Sequence, residues 1–320
     1  MGEVWIMLKN VIVFVLLAVP GYLLVKTKLL KQEHSGVLSK LLVYVGMPFL
    51  ILSSMIEKVT ISKDLFATIG LAVGVGIGFT LLMFFATIPL TAQERQDKTR
   101  GMMRFCSMFS NNGFLGIPLA AAVFSDRADV MTVLIIINIL TNVLMYTLGV
   151  YLISRDRKTI SLKKAFLNPV LIAFAIGIVL NLCDVQKYIP EVATYSGHFR
   201  NLVTPISMTI LGMKMAGVKM LSLFTSWKTY YVSALKLVVF PVLIVGVLLA
   251  TKAVFGGGLV SEDFILGAFV SFATPTAGLA STFSDTHNGD SQSAVAFTLG
   301  STILSVATIP LLYWGLCFLF

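Results

Sequence analysis

The sequence is poor in charge. Only 12% of its 320 residues are Asp, Glu, Lys or Arg, about half the ~25% of an ordinary soluble domain. The 15 acidic residues fall in loops or at the ends of apolar stretches, and none lies at the centre of one. A proton relay or a dense cation site inside a membrane is usually marked by buried acids, so neither is expected. The 3 histidines, His34, His198 and His287, are far apart and outside the apolar stretches, which argues against a metal site. The 3 cysteines, Cys106, Cys183 and Cys317, are widely spaced and form no CxxC, so neither a disulfide framework nor a zinc site is implied. A nucleotide loop of the GxxxxGK[ST] type is missing, which removes ATP-driven transport from the reading. A membrane-embedded enzyme would want a nucleophile–base pair or a metal cluster. With no mid-span acid or histidine, no enzymatic activity and no cofactor are expected.

What the sequence has in quantity is apolar surface. Hydrophobic residues make up 57% of it, and mean hydropathy is +0.91. Uncharged runs such as 130–154 and 165–183 recur, each long enough to cross a ~30 Å hydrocarbon core as a helix. A soluble globular fold is excluded. Ten spans are expected, near 4–25, 36–56, 64–90, 99–124, 129–153, 164–183, 198–217, 228–254, 262–284 and 291–319. Glu3 precedes the first span and no Ala-x-Ala pattern follows it, so it reads as a retained helix rather than a signal peptide.

The net charge of +9 reads as an orientation signal, not a nucleic-acid footprint, because Lys and Arg sit mostly in short loops. Sixteen fall on one side of the expected spans and seven on the other. That bias places both termini outside the cell membrane and the 154–163 loop in the cytoplasm. Lys236 lies inside span 8, two turns from Lys228, and is expected to snorkel to the cytoplasmic surface.

Five spans precede the central loop and five follow it, giving repeats over 1–153 and 164–320. A shift of 166 residues superposes Val45-Gly46-Met47 on Leu211-Gly212-Met213. It also brings the polar break of span 4, near Asn111, to within two residues of the break of span 9, near Pro275. Five is odd, so the second repeat would enter from the opposite side. Inverted repeats with paired broken helices are a recurring transporter architecture, with substrate at the midplane. Ten helices without duplication is the plainer alternative.

The breaks are where chemistry is expected. Ser110-Asn111-Asn112-Gly113-Phe114-Leu115-Gly116-Ile117-Pro118 makes a poor helix. Pro118 removes a donor and clashes with the Phe114 carbonyl, and Gly113 and Gly116 allow unwinding. The counterpart is Ser271-Phe272-Ala273-Thr274-Pro275-Thr276-Ala277-Gly278, where Thr274 and Thr276 can satisfy freed backbone groups. One such segment would read as a proline kink. Two at matching places, with adjacent Asn side chains, favour a site. Asn138 and Asn142, four apart on one face of span 5, either line it or bond a neighbouring helix. Met47, Pro48 and Met213 could shape an apolar wall, although methionine is more often ordinary packing.

These same residues carry a family resemblance over nearly the whole chain. Asn111 to Pro118 resembles the Asn-x-Gly-Phe-x-Gly-x-Pro signature of the auxin efflux carrier family, in its prokaryotic malate- and malonate-permease-like branch. Val45-Gly46-Met47-Pro48-Phe49-Leu50 is similar to that family's proline-bearing second helix, and Ala273 to Ala277 to its ninth. The plant PIN-FORMED carriers have a Pro-Asn pair at the crossover and a long central loop. Here Ser110 replaces that proline and the loop is short, which argues against auxin itself. The resemblance implies an all-α integral membrane fold of ten helices in two inverted five-helix repeats, with broken helices 4 and 9 crossing. It assigns Asn111 to the substrate and Pro275 to the crossover of helix 9.

The expected function is secondary transport of a small organic anion by alternating access. The expected substrate contacts are Asn111, Asn112, Gly113, Thr274, Pro275, Thr276, Asn138, Asn142, Met47 and Pro48. Ser110, Gly116, Pro118 and Gly278 would shape the crossover. Half-helices beginning after Asn112 and Thr276 would turn free N–H groups toward an anion, with no full positive charge in the membrane. A sodium-coupled symporter of the bile-acid type is the nearest alternative, and a receptor or channel the alternative of another class. A homodimer through the outer helices is a family-level expectation.

Overall fold

Proline placement governs how the apolar stretches fold. A proline lacks the N–H for the ladder, and its ring meets the carbonyl four residues back. In the computed structural model, which describes residues 2–58, 63–124, 126–156, 158, 167, 169–217, 225–256 and 260–320, three prolines are accommodated by a widened π turn just before them. Leu42–Gly46 precedes Pro48, Asn112–Gly116 precedes Pro118 and Leu235–Val239 precedes Pro241. Each widened turn contains the carbonyl that a tight helix would drive into the ring. A fourth π turn, Met145–Gly149, has no proline behind it.

The chain opens with α1 (Gly2–Leu16) and α2 (Val19–Lys26), separated near Pro20. Helices α3 (Ser35–Leu41) and α4 (Met47–Lys58) run through the first π turn, and α5 (Lys63–Leu90) follows. Span 4 is broken into α6 (Asp97–Met108) and α7 (Ile117–Val123), the latter continuing the π turn from Asn112. Helices α8 (Ala128–Leu144) and α9 (Val150–Ser154) complete the first half. The second half holds α10 (Pro169–Leu182), α11 (Val185–Tyr188), α12 (Glu191–Arg200) and α13 (Val203–Ala216). Then come α14 (Trp227–Ala234), α15 (Phe240–Phe255), α16 (Glu262–Ala273), α17 (Ala280–Thr286) and α18 (Ser291–Leu316). Most of the expected 154–163 linker lies outside the described residues. The expected span 198–217 starts later, because α12 ends at Arg200 and α13 begins at Val203.

The outer faces are apolar, and the interior mixes an apolar core with buried hydroxyls and amides. Ile77, Leu81, Leu82, Phe85 and Ile88 of α5 are exposed, as are Val242, Leu243 and Val247 of α15. Ser53, Thr80, Thr87, Ser107 and Ser305 are fully buried. Lipid rewards that distribution, since it offers exposed polar groups no partner. Among the described residues, five helices are long and apolar enough to cross a membrane.

Packing relies on small residues where backbones meet. Helix α2 lies against α13, and α4 against α10. A side chain at Gly21 would collide with the Thr209 carbonyl, and one at Gly212 with the Ala18 carbonyl.

Asp290 caps α18, and here the sequence misleads. A place in the short turn before the last span implies solvent exposure, but Asp290 is half-buried and accepts from Ser293 N at 3.0 Å, Ser293 Oγ at 2.6 Å and Thr99 Oγ1 at 2.6 Å. Burial pushes its carboxyl up, but the Ser293 and Thr99 hydrogen bonds outweigh burial and hold it below the usual range. A depressed carboxylate stabilises the fold above its unfolded pKa and loses that contribution as pH falls through the folded value. Asp290→Asn keeps a capping oxygen for Ser293 N but gives up the charged acceptor of the Ser293 and Thr99 hydroxyls, and should therefore cost about 1 kcal/mol at neutral pH. Thermal melts of both proteins should converge below pH ~4, near the carboxylate's reference value. A deficit that stays constant well below that pH, where the folded carboxylate is also protonated, would contradict the assignment.

Candidate functional site

The two breaks meet and hydrogen-bond to each other. Phe109 (φ −91°, ψ 127°) and Thr274 (φ −67°, ψ 151°) leave their helices in extended conformation. Asn111 N donates to the Pro275 carbonyl at 2.8 Å, and Ala277 N donates to the Phe109 carbonyl at 2.9 Å. Ser110 and Thr276 face each other as a short antiparallel bridge. Unwound backbone inside a membrane must find partners in protein or water, and each break partly satisfies the other.

Side chains complete the knot. Thr276 Oγ1 donates to the Cys106 carbonyl at 2.8 Å, and Ser301 Oγ accepts from Thr276 N at 3.2 Å. Thr274 Oγ1 donates to Asn112 Oδ1 at 2.8 Å. Both threonines, expected to contact substrate, are buried and spent on the crossover itself. Pro275 contributes its carbonyl in the same way. The second half-helix also starts later than expected, at Ala280 rather than directly after Thr276.

Two small cavities flank the knot. One, of about 40 Å³, is lined by Met47, Ser110, Asn111, Gly113, Asn138 and Asn142, among others. The other, of about 30 Å³, is lined by Asn111, Phe114, Ser207, Lys214, Gly278 and Ser281, among others. Asn111, Phe114, Gly278 and Leu279 belong to both and form the wall between them. Among the described residues, no acid lines either cavity. Pro48 lines neither. Pro118 faces a third cavity of about 460 Å³ beyond α7, shared with Ser54, Arg200, Asn201 and Thr204. Gly116 packs against the crossover, where an added Cβ would lie 3.3 Å from Thr274 Cγ2.

Two of the amides here are donors without acceptors. Asn142 Nδ2 donates to the Asn138 carbonyl at 2.8 Å and to Asn138 Oδ1 at 3.1 Å. Asn138 Nδ2 and Asn112 Nδ2 are buried with no partner. Buried polar groups are nearly always paired, so an unpaired donor beside a cavity marks a place for an acceptor. Asn111, 8% exposed, meets both cavities.

Sequence reasoning missed two lysines here. Lys236 does not snorkel. It is fully buried in the π turn before Pro241 and donates to Ser110 Oγ and to the Phe272 carbonyl, the latter at 2.9 Å. Lys214, counted with a loop, lies in α13 and donates to Ser281 Oγ at 2.5 Å and the Gly278 carbonyl at 3.5 Å. Two basic side chains therefore reach the crossover, where backbone N–H groups alone were expected to serve an anion. The hydroxyl at Ser110 was the available signal, since an acceptor there gives a span lysine somewhere to bind.

Comparison with known proteins settles the family. The family model described as a membrane transport protein matches residues 6–161 and 155–313. The chain belongs to that family. The auxin efflux carrier resemblance read from Asn111 to Pro118 is thereby borne out. A relative in Methanothermobacter thermautotrophicus, described as an uncharacterized transporter, is 28% identical over 94% of this chain and 95% of its own length. A second uncharacterized transporter, from Methanocaldococcus jannaschii, is 23% identical over 64% of this chain and 68% of its own. The protein is thus a multi-pass membrane transport protein, in a family of transporters rather than enzymes.

Proposed function

We propose that this membrane transport protein is a secondary transporter of small organic anions, mono- or dicarboxylates, working by alternating access around the crossover. The observation that carries the reading is the unpaired amide donor Asn138 Nδ2 in the lining of a cavity that shows no acid among the described residues, with a second unpaired amide, Asn112 Nδ2, buried in the crossover behind it. Donors that lack acceptors suit a carboxylate and repel nothing about it. Asn111, Gly113, Asn138, Asn142 and Met47 form the substrate wall in this reading. Asn112, Thr274, Pro275 and Thr276 hold the wall in shape.

The sodium-coupled alternative is short of ligands. The Phe272 and Gly278 carbonyls already accept from lysines, and the Thr274 and Thr276 hydroxyls donate elsewhere. Thermal-shift measurements against mono- and dicarboxylates, with and without sodium, test both, since a ligand of the folded state raises its apparent stability. Carboxylate-dependent, sodium-independent shifts are expected. Failure of every carboxylate would remove the organic-anion assignment, and sodium-dependent shifts would restore the symporter. Flux of the bound anion across proteoliposomes separates a transporter from a receptor, and saturable flux separates it from a channel.

The same reading includes ten spans in two inverted repeats, 1–153 and 164–320, joined by a cytoplasmic linker over 154–163, with both termini outside. Supporting it, α2 of the first span packs on α13 of the seventh, while α4 of the second packs on α10 of the sixth. Exchange of two equivalent halves requires that reciprocity. Cysteines introduced as Asp156→Cys and Glu191→Cys, separately and on a background without Cys106, Cys183 and Cys317, should label from opposite sides of the membrane. Labelling of both from the outside of intact cells would sink the ten-span arrangement. A homodimer through the outer helices is part of the proposal, and mass measurement in detergent tests it.

A further inference from the structure

Lys236 is the most expensive group in the molecule to keep. An ammonium taken out of water loses several kcal/mol unless an opposite charge and a full set of acceptors replace it. Lys236 has three donors, and the structure gives it two neutral acceptors, Ser110 Oγ and the Phe272 carbonyl. The ion pairs seen among the described residues, such as Lys228 with Glu94 and Lys252 with Glu262, do not include it. A methionine of similar length would sit there at lower cost, because apolar replacements of buried charges are often neutral or stabilising. Buried charges inside membranes are kept for function by default.

Its place says which function. Ser110 accepts from the ammonium on one side and lines the 40 Å³ cavity with Asn111 and Asn138 on the other. With its oxygen polarised by Lys236, the Ser110 hydroxyl has its own proton to give, and the cavity is where it can give it. We propose that Lys236, acting through the Ser110 hydroxyl, supplies the counter-charge that selects a carboxylate at the crossover. Lys236 is then a positioning residue, and Ser110 is the group that touches the anion. The bound carboxylate is the acceptor and the negative charge that the buried ammonium lacks. Lys214 differs, since it is half-buried and feels the charge of Asp285, so it has a resident acid nearby. The proposal rests on the organic-anion reading and deepens it.

The test uses the purified full-length protein, with potassium malonate, malate and lactate as anionic probes and malonamide as the neutral counterpart of malonate. The wild type should bind at least one anion and prefer malonate to malonamide. Lys236→Met should melt at or above the wild-type temperature without ligand, while anion affinity falls at least tenfold and the preference over malonamide disappears. Lys252→Met, at the surface pair with Glu262 and away from both cavities, should keep that preference. Ser110→Ala should lose it, and Ser110→Thr, which keeps the hydroxyl, should recover it. If Lys236→Met does not fold, the Ser110 pair decides the matter alone. A folded Lys236→Met, or a Ser110→Ala variant, that binds anions with wild-type affinity and preference overturns the inference and leaves the transporter reading standing. A wild type that answers to none of the anions overturns the organic-anion reading, and the role of Lys236 falls with it.

Discussion

Asn111→Ala is expected to weaken anion binding by about 10- to 150-fold, the equivalent of the ~1.5–3 kcal/mol that a hydrogen bond to a charged group contributes. Among the described residues, Asn111 is the only asparagine that lines both cavities beside the crossover. Its backbone N–H is committed to the Pro275 carbonyl, so the main-chain bridge survives removal of the amide. Melting temperature should therefore change little. Asn142→Ala provides the contrast, because the Asn142 amide is already engaged by Asn138 within α8. Losing that local bond should change affinity by less than about threefold, in line with ~0.6 kcal/mol for a typical side-chain bond between membrane residues. Equal losses at the two positions, or affinity within twofold of wild type for Asn111→Ala, would remove the crossover from the binding site. Calorimetric titration of the purified variants with the anion found by thermal shift makes the measurement.

The largest loss of stability is expected from Gly212→Val. The backbone of α2 passes so close to α13 that a Cβ at position 212 would overlap the Ala18 carbonyl and crowd the Tyr22 amide. Backbone cannot swing aside as a side chain can, so the helices must separate along their length. Overpacking of this kind costs about 1–3 kcal/mol where a core can yield, and more where it cannot. A cost at or above the upper end of that range is expected, seen as poor recovery of folded protein after brief heating. Gly246→Ala is the control, since nothing lies within 4 Å of a Cβ there, and alanine is the better helix former. Indistinguishable melting of Gly212→Val and wild type would mean that α2 and α13 do not approach as described.

The parts of this molecule that were legible in its sequence are those set by solvent and by local chemistry. Apolar runs announce spans because a helix in lipid needs some twenty uncharged residues. Asn111, Asn112 and Pro275 announce breaks because no lipid-facing helix tolerates that combination. What the sequence does not reveal is pairing over distance. Ser110 and Lys236 are 126 positions apart, so a lysine two turns from Lys228 reads as a surface residue until the crossover is built. Thr274 and Thr276 illustrate the reverse error. Their hydroxyls look available to a ligand, yet Asn112 and the Cys106 carbonyl take both. Prolines 48, 118 and 241 were visible, but the one-residue widening before each depends on how the helix on either side is held.

The short bridge between Asn111 and Pro275 and between Phe109 and Ala277 constrains any motion of the protein. Pulling the two segments apart would strand two N–H groups and two carbonyls where water is scarce, at about 1–3 kcal/mol for each group left unmet. Apolar helix faces, by contrast, slide past one another with little change in what they touch. The two broken helices are in effect spliced into a single moving part. Whatever travels during a transport cycle takes both of them together, and the slip planes lie at the greasy seams around them.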